Sequence, residues 1–358
     1  KNIDKSIFTL ISLLFIIGLF FSLVSTSLIA SDKLDTNNYS FFFKHLVYVL
    51  IGITIIFIFS SFNTNQLFKY SIFLFFVSLF SLLLVPIIGI EVKGSKRWID
   101  LFFLPRFQPI EVLKPFLIIT LATILCSNKA NIFSKHLISI FIIALISLLL
   151  IIQPDIGQTL LVLFSWTVLI FTSGINLYLL ISIFLFGSLF LAYLIIFVPK
   201  FDYIQGRIFS FFNRETGSHN FQSDKAIDSI TSGGFFGKGM GEGTLKNSVP
   251  EAHTDYIISV ISEEFGVVAI MLILLLFLIF IYMVFKKINF ETNDKIKLIL
   301  IGSISLILMQ ATIHIGVNIR LFPTTGMTLP FLSYGGSSIV STSILAGIIL
   351  NLTKRKIN

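Results

Sequence analysis

The chain has 358 residues, 55% of them hydrophobic and only 12% charged, with a formal net charge of +8. A soluble domain is about one quarter charged, so this composition excludes an ordinary water-soluble fold and points to a chain dissolved mostly in lipid. The single cysteine, Cys126, excludes an internal disulfide and reads as a small buried hydrophobe, and no Cys/His cluster has metal-ligand spacing.

A helix needs about 20 apolar residues to cross a bilayer core, and ten segments of that kind follow one another. The first, 7–30, is too long for a signal-peptide core and lacks a small-residue cleavage site, so it is expected to be retained. Lys1 in place of an initiating methionine points to a few trimmed residues. Spans 46–62 and 69–90 come next. The loop after them carries Gly94-Ser95-Lys96-Arg97-Trp98-Ile99-Asp100 and then Phe107-Gln108-Pro109-Ile110-Glu111-Val112-Leu113-Lys114-Pro115. Trp98 beside Arg97 reads as an interfacial or re-entrant segment. Glu111 and Lys114, three apart, share a helix face at the start of span 110–126, as an anion-binding pair or as an ion pair anchoring the helix end.

Spans 135–152 and 156–173 flank the tight turn Gln153-Pro154-Asp155-Ile156-Gly157, in which Asp155 is expected to cap the following helix. Span 177–198 leads into the largest loop, about 199–256. Within it, residues 233–243 hold six glycines around Lys238. Such backbone lets N–H groups converge on an anion, or simply makes a flexible loop; the order of residues is not that of a Walker A motif. The loop ends in Pro250-Glu251-Ala252-His253-Thr254-Asp255. A helix starting at Pro250 would put Asp255, Ser259, Ser262, Glu263 and Gly266 on one polar stripe. From Asp255 to Phe285 it would run about 46 Å at 1.5 Å per residue, so its first turns are expected to rise out of span 257–285 or to line a cavity. Ionisable groups in such a place are a functional hypothesis; a solvated N-terminal cap is the plainer alternative. Span 297–319 is followed by Pro323–Pro330 and Ser333-Tyr334-Gly335-Gly336-Ser337-Ser338, which put prolines and a diglycine at membrane depth ahead of span 330–352. Broken backbone there either lines a cavity or allows close helix packing.

With the N-terminus inside, the cytoplasmic segments gather Lys1, Lys5, Lys69, Lys129, Lys135, Lys286, Lys287, Lys295, Lys297, Lys354, Arg355 and Lys356 against Asp4, Glu291 and Asp294. The positive-inside rule therefore predicts both termini in the cytoplasm, and the net charge reflects topology, not nucleic acid. The external basic residues concentrate in 93–114 and 200–246, as expected if those loops face an anionic substrate.

Together the blocks GSKRWI, FQPIEVLKP, QPDIGQTLL, FQSDKAI with SGGFFGKGMGEG, PEAHTDYIISVISEEFG and LFPTTGMTLPFLSYGGSS resemble the SEDS family of peptidoglycan glycosyltransferases, which includes FtsW and RodA. The stretch TTGMTLPFLSYGGSS is more similar to the division branch, FtsW. Ile110 stands where a serine is common, Phe221 where a tyrosine is common, and Asn213-Arg214-Glu215 lacks the usual proline.

The resemblance implies one all-α domain, 1–358: a polytopic protein of the bacterial cytoplasmic (inner) membrane, at the division septum, with about ten spans and an extracytoplasmic loop between helices 7 and 8. It implies polymerisation of lipid II, a disaccharide-pentapeptide on undecaprenyl pyrophosphate. An acceptor 4-hydroxyl attacks the anomeric carbon of the lipid-linked sugar, pyrophosphate leaves, and the α-linked donor becomes a β-1,4 product by inversion. The family's essential aspartate maps onto Asp255, expected as general base. Arg97, Glu111, Lys114, Arg207, Gln222, Lys238, Glu251, His253 and Ser333 are the expected substrate-binding set, with Lys114, Arg97, Arg207 and Lys238 toward the pyrophosphate and Glu111 positioning Lys114. A divalent cation, Mg or Mn, is compatible with the chemistry, but no dense carboxylate cage is visible. The implied partners are membrane lipid, other division proteins and a class B penicillin-binding protein for crosslinking. Two further readings stay open: a lipid II transporter, which should hold its site near the midplane, and a non-catalytic division scaffold.

Overall fold

The computed structural model describes residues 3–26, 39–92, 95–101, 104–127, 131–213 and 221–354; Lys1, Gly94, Lys129, Arg214, Glu215, Arg355 and Lys356, named above, lie outside them. Twelve α-helices occur among the described residues. Ten are the expected apolar helices: α1 (Lys5–Thr26), α2 (Ser40–Ser61), α3 (Thr64–Ile88), α4 (Pro109–Leu125), α5 (Ile132–Ile152), α6 (Ile156–Thr172), α7 (Leu177–Phe197), α10 (Ile257–Phe290), α11 (Asp294–Asn318) and α12 (Gly336–Leu352). Seven of these are long and apolar enough to cross a membrane. The other three, α4, α6 and α12, have 17 residues each, about 26 Å. Each begins at irregular backbone that is buried or half-buried in protein, at residues 108, 153–155 and 333–335, which is where such backbone is tolerated at membrane depth. This is a multi-pass membrane protein.

The architecture follows from which helix faces are apolar all round. α4 is buried almost throughout and touches α3, α5, α6, α11 and α12. α12 is also buried and lies against α2 through small residues. A Cβ on Gly347 would stand 2.7 Å from Phe59 Cβ, and one on Gly336 would stand 2.5 Å from Tyr48 Cζ, so the diglycine end of α12 serves close packing. α7 is the opposite case: Leu180 is its one buried residue, and it presents leucine, isoleucine and phenylalanine to lipid on nearly every side. Cys126, expected to be buried, is half-buried at the end of α4.

Three local features depart from the expected helices. The loop after α3 is not re-entrant but a three-stranded antiparallel meander, β1 (Ile90–Val92), β2 (Ser95–Leu101) and β3 (Leu104–Phe107), with Trp98 paired to Ile90 and Ile99 to Phe107. The loop after α7 carries two short helices, α8 (Asp202–Asn213) and α9 (Phe221–Gly233). The helix expected from Pro250 starts only at Ile257, and residues 251–256 form turns in which the Glu251 carbonyl accepts from the N–H groups of Thr254, Asp255 and Tyr256. Glu251 itself has φ 56, a left-handed conformation that closes the turn and leaves Asp255 outside the helix.

α10 is not straight either. Gly266 has φ 75 and ψ −177 and breaks the helix in two. Its polar stripe does not line a cavity: Ser259, Ser262 and Glu263 are fully buried against α9, where Ser229 Oγ donates to the Ser259 carbonyl (3.2 Å) and to Glu263 Oε2 (2.9 Å). A Cβ on Gly266 would stand 2.1 Å from the Phe235 carbonyl oxygen. Gly266→Ala is therefore expected to lose at least about 2 kcal/mol through left-handed strain and backbone collision, measured as a lower melting temperature of the purified protein in detergent.

Candidate active site

The described residues of the connections α3–α4, α5–α6, α7–α10 and α11–α12 lie at the same end of the bundle, since each joins helices at that end. Two polar centres form there.

The first is built on α4, α6 and α11. Lys114 is fully buried. Its ammonium has three donors and three protein acceptors: Glu111 Oε2 at 2.9 Å, Gln158 Oε1 at 3.0 Å and Gln310 Oε1 at 3.3 Å. Gln158 Nε2 in turn donates to Glu111 Oε1 at 2.5 Å. The Gln153-Pro154-Asp155 turn extends this centre. Asp155 caps α6 by accepting from Gln158 N–H, as expected, and also accepts from Gln108 Nε2 at 2.8 Å. Arg97 on β2 lies 3.8 Å from the same carboxylate and donates to the carbonyls of Gln153 and Pro154. Burial pushes the Asp155 carboxyl up, and the Arg97 charge opposes it.

The second centre is the 250–256 turn. The Asp255 carbonyl accepts from Asn318 Nδ2 at 3.0 Å. Its carboxylate stands beside Gly326, where a Cβ would lie 3.4 Å from Oδ2. Asp255 is half-buried. Arg207 on α8, also half-buried, donates to the Thr324 carbonyl at 3.2 Å. Both charges act on the neighbouring Tyr256, whose phenol is pushed well above its ordinary range by burial first and by the Asp255 charge second, with Arg207 opposing. The His253 ring packs on Phe41, centroids 4.5 Å apart, and its carbonyl accepts from Tyr334 N–H. The two centres meet at the 323–335 segment: a Cβ on Gly157 of α6 would touch Thr325 Cβ at 2.9 Å, and Gly326 follows against Asp255.

Other expected site residues are committed elsewhere. Lys114 is enclosed by protein acceptors, so it is not presented to a pyrophosphate, and the pairing reading of Glu111 describes it better. The glycine-rich segment does surround an anion, but an internal one. N–H groups of Lys238 and Gly239 donate to the carbonyls of Glu263 and Glu264, that of Gly241 to the Glu264 carboxylate, and that of Leu245 to Glu263 Oε1. Lys238 Nζ sits 3.2 Å from Glu263 Oε1. Ser333 is buried, and its Oγ accepts from Leu329 N–H at 2.9 Å, closing a turn instead of facing a ligand. Glu251 shapes the Asp255 turn through its own carbonyl. Gln222 is half-buried on α9. Among the described residues no three His, Cys, Asp or Glu side chains converge as a metal site.

Gln158, Gln310, His314 and Asn318 were not among the expected site residues. The signal was present: polar side chains at helical spacing in otherwise apolar spans are rare and positioned. Removing one partner of a buried ion pair costs about 3–5 kcal/mol. Lys114→Met is accordingly expected to lower the melting temperature sharply, and adding Glu111→Gln to recover most of the loss.

The whole chain compares closely with known proteins. Residues 4–358 match the model of the FtsW/RodA/SpoVE family, described as cell cycle proteins. A Haemophilus influenzae protein named probable peptidoglycan glycosyltransferase FtsW is 30% identical over 98% of this chain and 90% of its own length. A protein of the same name from Coxiella burnetii is 32% identical over 92% of this chain and 90% of its own. Among solved structures, a chain from work on the structural coordination of polymerization and crosslinking by a peptidoglycan synthase complex superposes with TM-score 0.79 at 24% identity, over 98% of this chain and 97% of that one. The Thermus thermophilus rod shape determining protein RodA superposes with TM-score 0.72 at 25% identity, over 98% and 96%. With its ten apolar helices in that family's arrangement and its length matched almost end to end, this chain belongs to the FtsW/RodA/SpoVE family.

Proposed function

We propose that the chain is a peptidoglycan glycosyltransferase that polymerises lipid II, with Asp255 as the general base. The observation that carries the assignment is the placement of Asp255. It sits on a turn outside α10, clamped at its carbonyl by Asn318, with its carboxylate against Gly326 and a cationic side chain, Arg207, in the same neighbourhood. A base must be held by its backbone while its carboxylate remains reachable, and a half-buried Asp255 meets both conditions.

In the proposed step the acceptor 4-hydroxyl oxygen bonds to the anomeric carbon of the donor sugar while the carbon–oxygen bond to undecaprenyl pyrophosphate breaks. The proton passes to Asp255, and the electron pair leaves with the pyrophosphate. Arg207, whose charge acts on Tyr256 together with that of Asp255, is the cation assigned to meet that developing charge. Charge on the leaving group is where a fixed cation helps most.

The charge distribution along the sequence supports placing this end of the bundle outside the cytoplasmic membrane and both termini inside. The FtsW-like relatives support a role in division, at the septum, beside a class B penicillin-binding protein that supplies the crosslinking reaction. The candidate charges at one end, rather than at mid-bundle, favour a polymerase over a transporter.

Asp255→Asn and Asp255→Ala are expected to abolish glycan polymer formation from purified lipid II while membrane insertion and melting temperature stay near those of the parent. Polymer at the parental rate would rule out Asp255 as base. Arg207→Ala is expected to retain the fold and to lower turnover about tenfold or more; turnover equal to the parent's would show that another group meets the pyrophosphate.

A further inference from the structure

α11 is an apolar helix with one polar line along it. Gln310, His314 and Asn318 recur at i, i+4 and i+8, so they stand above one another on one face. Their exposures are 1%, 1% and 0%. Polar groups this deep in a membrane protein are costly unless their donors find acceptors. All three donate to main-chain carbonyls outside the line. Gln310 Nε2 donates to the Thr328 carbonyl at 3.1 Å, and His314 Nδ1 contacts the Met327 carbonyl at 2.7 Å. A carbonyl has no proton to give, so Nδ1 carries the hydrogen. Asn318 Nδ2 donates to the Asp255 carbonyl at 3.0 Å and to the His314 carbonyl at 2.8 Å.

One rigid helix therefore fixes three carbonyls on two separate segments, at 327 and 328 and at 255. Gly326 lies immediately before the first two. It has φ 70, which disfavours any side chain there, and it forms the wall against which the Asp255 carboxylate stands. The other end of the line reaches the buried ion pair, because Gln310 Oε1 accepts from Lys114.

We infer that Gln310, His314 and Asn318 form a positioning spine that holds the Asp255 turn and its Gly326 wall in one register, so that the carboxylate is aimed at the acceptor hydroxyl. The inference rests on the reading of Asp255 as the base. None of the three touches the reacting atoms; each acts through a main-chain carbonyl. Small misplacements of a catalytic group are expensive in rate because catalysis depends on alignment in the transition state. The spine is accordingly a determinant of kcat more than of lipid II binding.

The test compares His314→Leu with His314→Asn in the full chain, purified from membranes with its co-purifying partners and assayed on lipid II. The amide nitrogen of an asparagine takes the place of Nδ1 and keeps the donor. His314→Leu is expected to lower kcat about tenfold or more while KM for lipid II stays within about twofold, and His314→Asn to regain most of that loss. Asn318→Leu, which removes the donor to the Asp255 carbonyl and does not touch Lys114, should repeat the kcat loss if His314→Leu fails to accumulate. Asn318→Leu combined with His314→Leu should lose little more than the worse single change, since both release the same register. A kcat loss that follows melting temperature and is not regained by His314→Asn would mean a merely structural role and overturn the inference. So would additive losses, or a change in KM alone. Asp255→Asn run alongside separates the two failures: polymer from that variant refutes the base assignment, whereas an inactive Asp255→Asn with unaltered spine variants refutes the spine.

Discussion

A single buried ammonium organises this molecule. Lys114 has no access to water, and an unpaired charge in such surroundings would cost far more than any one helix contact returns. Its three donors are met by Glu111 on its own helix, by Gln158 on α6 and by Gln310 on α11. Those three helices must therefore stand at one rotation and one depth relative to each other. Apolar faces alone would not set that register, because in lipid a helix gains little by burying one leucine rather than the next. Through Gln310 the same constraint reaches the Thr328 backbone, and through the line along α11 it reaches Asp255. The ion pair and the proposed base, which the chain keeps far apart, become one rigid body.

A second internal anion does similar work in the loop. Glu263 and Glu264, both buried, are met by the backbone of residues 238–245, by Ser229 and by Lys238. This is the anion cradle that glycines and a lysine predict, filled by the protein's own carboxylates. It is also why the helix breaks at Gly266. The loop backbone comes so close to residues 264–266 that a Cβ on Gly237 would stand 2.2 Å from the Glu264 carbonyl oxygen. The loop and the kink are one structure, and they hold the start of α10 behind the Asp255 turn.

Most of the helical scaffold could be read directly, because a stretch of about 20 apolar residues has few stable alternatives in a membrane. The errors sit where that argument weakens. The β1–β3 meander has strands of three, seven and four residues, too short for a period-two pattern to stand out from the interfacial residues around it. α10 starts seven residues after Pro250, a good first-turn residue, because Glu251 takes a left-handed conformation that ends any helix begun there. At the site, the Asp155 cap is legible from its position at a helix mouth, and Asp255 is singled out by its place ahead of the apolar span. Gln310, His314 and Asn318 mark α11 as polar on one face, but their partners, the carbonyls of residues 328, 327 and 255, come from segments that only the fold brings beside them.

The sequence by itself determined the medium, the helices, the end of the bundle that collects ionisable loops, and the resemblance that family membership bears out. These follow from hydrophobic length, charge and local motif, all of which are properties of contiguous residues. Only the tertiary structure decided what each charge touches. Lys114, Lys238 and Arg97 look alike on paper as cations near an anionic substrate. In the fold, one is enclosed by three acceptors, one is paired to a buried glutamate and one is bound to a turn. The difference is physical: a charge beside low-dielectric protein takes the acceptors that relieve its desolvation, and, Glu111 apart, those acceptors lie 25 to 196 positions away along the chain.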